Sequence, residues 1–282
     1  MEEEFHNHMR IPWHDYTRKS LGHPITEASL SEKASIIGRT GIMLLSCGTG
    51  AWRVRSSMNT LARELGITCT ADIGLLSIEY TCIAGGDCYT ESLCLFNTGV
   101  NTSKLYRMEL FVNKFATNCK KMSGDELHTL LDQIHEIHGF YSPPFLGLAA
   151  AVACCAFTFL LGGGPIEMFC AFLGAGAGNY LRAKMNQHHL TLFLCTAASV
   201  ALACVVYTIS FMALKSGFDV SIHHQAGYIC SMLFIIPGFP FITSGIDLAK
   251  LDMRSGMERL TYAIIIIAVA TLTAWMLALV LH

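Results

Sequence analysis

The chain has 282 residues, 52% of them hydrophobic, and a formal net charge of −2. A balance so near neutral, with no basic stripe and no Lys/Arg block interleaved with aromatics, argues against nucleic acid as a partner. The charges are unevenly spread: of 40 Asp, Glu, Lys and Arg residues, 29 lie in residues 1–144 and 11 in residues 145–282. That shift divides a polar first half from a second half whose apolar runs reach the roughly 20 residues needed to cross a bilayer.

Residues 1–25 show no periodicity and read as an N-terminal arm. Met1–Pro12 is acidic and has no apolar core segment, so no signal peptide is expected and the first half is expected to remain in the cytoplasm. A helical pattern runs from Thr26 to Cys47, with Ser29 and Glu32 spaced as a capping box. Cys47-Gly48-Thr49-Gly50 breaks it, and a second helix follows with Val54, Met58, Leu61, Ala62 and Leu65 on one apolar face. Gly66 supplies its stop.

Leu76–Ala84 alternates in the manner of a strand, and after Gly85-Gly86-Asp87 the stretch Tyr89–Phe96 continues it, which predicts a hairpin. Leu105–Cys119 predicts a helix, and Ser123 with Glu126 opens another bearing Leu127, Leu130, Leu131 and Ile134. The expected fold class is therefore a membrane protein with an α+β cytoplasmic domain over residues 26–142. An all-helical transmembrane domain over residues 143–282 follows it.

Five spans are expected, near 145–162, 165–181, 190–214, 226–247 and 260–281. The second is short and carries Gly174, Gly176 and Gly178, a small-residue face suited to close helix contacts left for a partner to fill. Arg182 and Lys184 follow span two, and Lys250, Arg254 and Arg259 follow span four, which puts the N-terminus inside by the positive-inside rule and His282 outside.

The chemistry-bearing stretch is Ile235-Ile236-Pro237-Gly238-Phe239-Pro240, continuing through Thr243, Ser244 and Asp247. Two prolines and a glycine in an apolar span should interrupt its hydrogen-bond ladder, and broken backbone at membrane depth survives only beside protein or a cavity. On this reading Pro237, Gly238, Pro240, Thr243, Ser244 and Asp247 line a substrate or ion path. The bland reading makes the prolines a packing kink and pairs Asp247 with Lys250, Arg254 or Arg259. Glu167, near the start of span two, is either a proton-coupling group or a headgroup-level acid. Asn179 either contacts substrate or bridges helices.

Little points to catalysis or metal binding. The twelve cysteines include no Cys-x-x-Cys pair, and no Gly-x-Ser-x-Gly motif occurs. His188-His189 and His223-His224 fall in loops, and His135-x-x-His138 sits at a helix end and is not expected to hold a metal. No cofactor and no catalytic residue is expected.

Taken together, these motifs resemble the threonine/serine exporter family. The likeness runs from about Ser31 through Cys47-Gly48-Thr49-Gly50-Ala51, Arg53-Val54 and Leu61-Ala62-Arg63-Glu64-Leu65-Gly66. It continues through Leu160-Leu161-Gly162-Gly163-Gly164 to Pro237-Gly238-Phe239-Pro240 with Asp247, Asp252, Ser255-Gly256 and Arg259. The resemblance implies proton- or potential-coupled export of small amino acids, or of small dicarboxylates in two-chain relatives, across the inner membrane. Single-chain members carry a second membrane half, so a separate short membrane subunit or a homo-oligomer is the expected partner, alongside the solute and the lipid bilayer. Phe239 and Ser244 depart from the residues common in relatives, so substrate identity does not carry over. The alternative is a non-transporting sensor or assembly subunit whose cytoplasmic domain binds a ligand or partner.

Overall fold

The computed structural model describes residues 11–17, 22–137, 141–188, 190–215 and 225–281. His138, His189, His223, His224 and His282, which enter the sequence reading, lie outside them. The chain divides into two compact units: residues 1–139 with 239–260, and residues 140–238 with 261–282. The sequence reading places one boundary after residue 142. The structure divides at 139/140 and returns Phe239–Leu260 to the first unit.

In the first unit, helix α1 (Leu30–Ser46) runs through the core, with Ile36, Ile37, Leu44 and Leu45 fully buried. Ser29 caps it by accepting from the Glu32 N–H. The reciprocal half of the expected capping box is not formed, because the Glu32 carboxylate is buried against Gly124. Helix α2 (Ala51–Glu64) lays Val54, Met58, Leu61 and Ala62 against α1, as its periodicity predicts. Each such large side chain contributes roughly 1.5–3 kcal/mol on burial.

Three antiparallel strands follow in the order β1 (Thr68–Ile73), β2 (Ser77–Ala84) and β3 (Asp87–Cys94). β2 and β3 are the expected hairpin, turning through Gly85 and Gly86, both at positive φ as a tight two-residue loop requires. β1 is not apparent in the sequence, because Thr68-Cys69-Thr70-Ala71-Asp72 is too polar to stand out. Ile78, Tyr80 and Cys82 form the buried face, and the single proton of the Tyr80 hydroxyl is shared between the Glu91 carboxylate at 2.7 Å and the Ala34 carbonyl at 3.0 Å.

Helix α3 (Thr102–Lys114) is capped by Asn101, and its expected continuation to Cys119 is a wider π-helical segment, Phe115–Cys119. Helix α4 (Gly124–His135) opens on the predicted reciprocal capping box of Ser123 and Glu126. Part of the predicted arm is structured: Trp13–Thr17 forms a 3₁₀ turn on this unit. There the His14 ring bonds Asp125 at 2.6 Å and Asp132 at 2.8 Å, and Trp13 stacks on His128. Buried His128 is held neutral, its pKa lowered to about 3 by burial and by the Arg39 and His14 charges. Arg39 donates to its Nδ1, so Nε2 carries the proton and faces Ser35 Oγ.

In the second unit stand α5 (Pro143–Leu160), α6 (Pro165–Gln187), α7 (Leu192–Lys215), the short α8 (Gln225–Ser231) and a 3₁₀ turn, Leu233–Ile235. Helix α9 (Gly238–Ala249) then leads to α10 (Met253–Leu281), whose C-terminal part returns to this unit. Among the described residues three helices, α5, α7 and α10, are long and apolar enough to cross a membrane, or four if the pair Ala226–Ile235 and Gly238–Ala249 counts as one. Among the described residues length and composition thus support three or four of the five expected spans. Helix α6 is long enough, but Glu167, Asn179, Arg182 and its glycines lower its mean hydropathy. Those glycines are also not left for a partner. A Cβ at Gly174 or Gly178 would strike α7 backbone oxygens at 2.7 and 2.8 Å, and one at Gly176 would crowd Ala151 of α5 at 3.2 Å.

Both ring nitrogens of His14 face carboxylates, so the ring must be the imidazolium to donate twice. Hydrogen bonding to Asp125, then to Asp132, raises its pKa, while the bond from His14 lowers that of Asp125. A raised histidine pKa stabilises docking fully below the free value of about 6.5 and loses that as pH climbs through the docked value. A lowered carboxylate pKa stabilises it above about 3.9 and loses that as pH falls. Arm docking is therefore expected to be tightest from about pH 4 to 6.5 and to weaken above that window. Trp13 emission, read with Trp52 and Trp275 replaced by Phe, should shift between pH 6 and 9. The same shift in His14→Gln would rule the ring out as its cause.

Candidate functional site

Asp247 stands on α9 within the first unit, and its side chain is 0% exposed. Oδ2 accepts from two donors, the Ala51 N–H at 3.1 Å and the Ser255 hydroxyl at 3.0 Å, and is ion-paired with Arg259 Nε at 3.3 Å, whose own N–H donates to Ser255 Oγ at 3.1 Å. Ala51 is the first residue of α2, so the carboxylate sits against the positive end of a helix. Arg259, 2% exposed, spends its other nitrogens on the carbonyls of Gly48 and Thr49, at 3.1 and 2.8 Å. Acid and base on α9 and α10 thus grip both the carbonyls and the N–H of the Gly48–Ala51 connection between α1 and α2.

That connection must be glycine-rich. Gly48 has φ +81°, and a Cβ on Gly50 would lie 2.8 Å from Asp247 Oδ1. The Cys47-Gly48-Thr49-Gly50 break, readable in sequence only as punctuation, is the seat of the ion pair. Of the three cations offered by the sequence, Arg259 is the one that pairs with Asp247. Arg254 instead pairs with Asp72 and Glu258, and Lys250 lies over the Trp52 ring at 4.1 Å. Asp247 Oδ1 is buried and has no hydrogen-bond partner among the described residues.

The neighbouring hydroxyls turn inward. Thr243 donates to the carbonyls of Phe239 and Pro240, and Ser244 donates to that of Gly256. Pro240 stands in the first turn of α9, where its missing N–H would have had no helical partner. Of the two prolines expected to interrupt the ladder, Pro237 stands at the break, Ile236-Pro237, whereas Pro240 lies inside the helix that follows it. Gly238 is exposed and its N–H bonds the Ile236 carbonyl at 2.9 Å.

In the second unit Glu167, 1% exposed, folds back so that Oε2 accepts from the Gly164 N–H at 3.0 Å, capping its own helix α6. Its other oxygen is buried and unpartnered among the described residues. Helices close around it: Gly227 of α8 could not bear a Cβ without meeting Glu167 Cβ at 3.0 Å and the Tyr207 hydroxyl at 2.6 Å. Asn179 donates to the Leu146 carbonyl at 2.8 Å, bridging α6 to α5. Arg182, which sequence reasoning uses only as a loop cation, donates from Nη1 to the Phe234 carbonyl at 3.1 Å, in the 3₁₀ turn before the break. A break followed by Pro in an apolar stretch was the available signal that some donor would be needed there.

Sequence thus singles out residues that the fold separates by unit. Thr243, Ser244 and Asp247 belong to the first; Glu167, Asn179, Pro237 and Gly238 belong to the second. Among the described residues no group of three or more His, Cys, Asp or Glu side chains is arranged to hold a metal ion, and all twelve cysteines are free thiols.

Removing the Asp247 charge leaves Arg259 buried without its counter-ion, a loss of roughly 3–5 kcal/mol. Asp247→Asn is expected to lower the melting temperature of the purified chain by on the order of 10 °C. The double replacement Asp247→Leu with Arg259→Met should recover part of that loss. Unchanged melting of Asp247→Asn would mean that the pair holds nothing together.

A family model described as "Putative threonine/serine exporter" matches residues 35–282. A relative in Escherichia coli (strain K12), "Probable succinate transporter subunit YjjP", is 26% identical over 244 residues, covering 83% of this chain and 91% of its own length. Its namesake in Klebsiella aerogenes is 25% identical over 244 residues, covering 83% of this chain and 90% of its own. No solved structure matches the chain. With several helices apolar enough to span a bilayer, the chain is a multi-pass membrane protein, and it belongs to the threonine/serine exporter family.

Proposed function

We propose that this chain is one subunit of a secondary-active, proton-coupled exporter in the inner membrane. It moves small amino acids such as threonine and serine, or small dicarboxylates, and keeps its N-terminal domain in the cytoplasm. It is not an enzyme. The relatives are named as subunits of a succinate transporter, which favours both a dicarboxylate among the solutes and a second membrane chain as partner.

The observation that carries the reading is Glu167. A carboxyl group closed in by α6, α7 and α8, with one oxygen unpartnered among the described residues, is costly to keep unless it does work. Taking up and releasing a proton is work such a group can do, because the neutral form is the cheaper one to bury. The interrupted stretch at Ile236-Pro237 supplies the second element. Its freed carbonyls would cost several kcal/mol each in lipid and require polar partners, of which Arg182 is one. Pro237, Gly238 and Asn179 would border that path, while Thr243, Ser244 and Asp247 would act by holding α9 in place.

Glu167→Gln keeps the size of the side chain and an oxygen able to accept from Gly164, but cannot exchange a proton. In proteoliposomes containing the chain with its co-purifying membrane partner, proton-driven flux is expected to fall at least tenfold, about 1.4 kcal/mol in barrier terms. Assembly should remain intact. Wild-type flux from a well-assembled Glu167→Gln complex would remove Glu167 from the coupling step.

A further inference from the structure

The corner between α9 and α10 is built around an uncommon conformation. Leu251 has φ +62°, the only non-glycine residue at positive φ among those described, and its side chain is exposed. A non-glycine residue is held there only when its neighbours determine the turn. Three contacts do so: the Asp252 N–H bonds the Asp247 carbonyl at 2.9 Å, Asp252 takes Arg55 Nη1 at 2.5 Å, and the Lys250 ammonium lies 4.1 Å from the Trp52 ring centre. Arg55 is fixed a second time, by Nε donating to the Ala71 carbonyl at 3.1 Å.

This corner faces one exposed side of α2, where Trp52, Arg55, Asn59 and Arg63 follow at helical spacing. Together with Lys250 and Asp252 they line an open depression of the surface, about 730 Å³ in volume. Its charges are unbalanced. Arg55 and Asp252 neutralise one another, which leaves the Arg63 guanidinium and the Lys250 ammonium lining the depression beside Asn59. Lys250 is steered by an aromatic face rather than by an acid, so its charge is not cancelled. Arg63 is 3.9 Å from Glu64, at the outer limit of an ion pair, and Glu64 takes Lys120 at 2.7 Å.

From this geometry we infer a binding site for a small dianion, a solute with two carboxylates or a phosphate, held between Arg63 and Lys250 beside Trp52. The site lies wholly within the first unit and does not depend on the export reading or on Glu167. Two cations lining one depression favour a dianion over a monoanion, since the second charge gains a second partner. The Trp52 indole reports occupancy directly, because a ligand drawing Lys250 away changes the cation over its ring.

The test uses the full chain in detergent, with Trp13→Phe and Trp275→Phe so that Trp52 alone emits. Succinate and inorganic phosphate are titrated against acetate and chloride at matched ionic strength. A saturable change with at least one dianion and none with acetate or chloride is expected, and which dianion acts separates dicarboxylate from phosphate chemistry. Calorimetry on Arg63→Gln with Lys250→Gln, a readout independent of the indole, should give at least tenfold weaker binding while the far-ultraviolet circular dichroism of the native chain is retained. Equal responses to acetate and to both dianions, no saturable response to either dianion, or undiminished affinity in the double variant would each overturn the site.

Discussion

The buried pair between Asp247 and Arg259 is the constraint on which the first unit depends. Two charges taken out of water are tolerable only if each finds several partners, and here they do. Asp247 collects an N–H, a hydroxyl and a guanidinium on one oxygen, and Arg259 adds two backbone carbonyls and the Ser255 hydroxyl. All of those backbone groups come from a four-residue connection of glycines and small residues. Because of this pair, α9 and the first turns of α10 belong with the N-terminal domain although they lie a hundred residues from it in sequence. The outer contacts follow the same line: Arg55 with Asp252, Arg254 with Asp72, and Glu258 with the Leu75 N–H at 2.6 Å.

Function is distributed accordingly. The acid that sequence ranks first, Asp247, is engaged in holding a junction, and Thr243 and Ser244 are spent on carbonyls of their own neighbourhood. The group whose chemistry is still open is Glu167, buried in the second unit with an oxygen to spare. Around it the second unit is closely packed, and its glycines are used internally where α6 meets α5 and α7. A requirement for a partner subunit therefore rests on the naming of the relatives and not on an unfilled small-residue face.

Much of the fold was legible because its signals are local. The apolar face of α2, the hairpin at Gly85-Gly86 and the capping box at Ser123 depend on residues within a few positions of one another, and all stand as read. What escaped is long-range or weak in composition. β1 is too polar to announce itself, and its strand character comes from pairing Ile73 with Ile78 and Cys69 with Cys82. Helix α6 stands outside the set of clearly apolar helices because it carries Glu167, Asn179 and Arg182. At the site, the identity of Asp247 and of the Gly48–Gly50 break was visible, but their meeting across 200 residues was not. Periodicity carries no information on which of three nearby cations an acid will choose.

Hydrogen exchange followed by mass spectrometry on the intact chain tests the central claim most directly. If the ion pair joins α9 to the connection at Gly48–Ala51, peptides covering 239–260 and 42–65 should open with a common free energy. Both should then lose protection together in Asp247→Asn. Retained protection over 239–260 in that variant, alongside loss over 42–65 or no loss at all, would contradict the account.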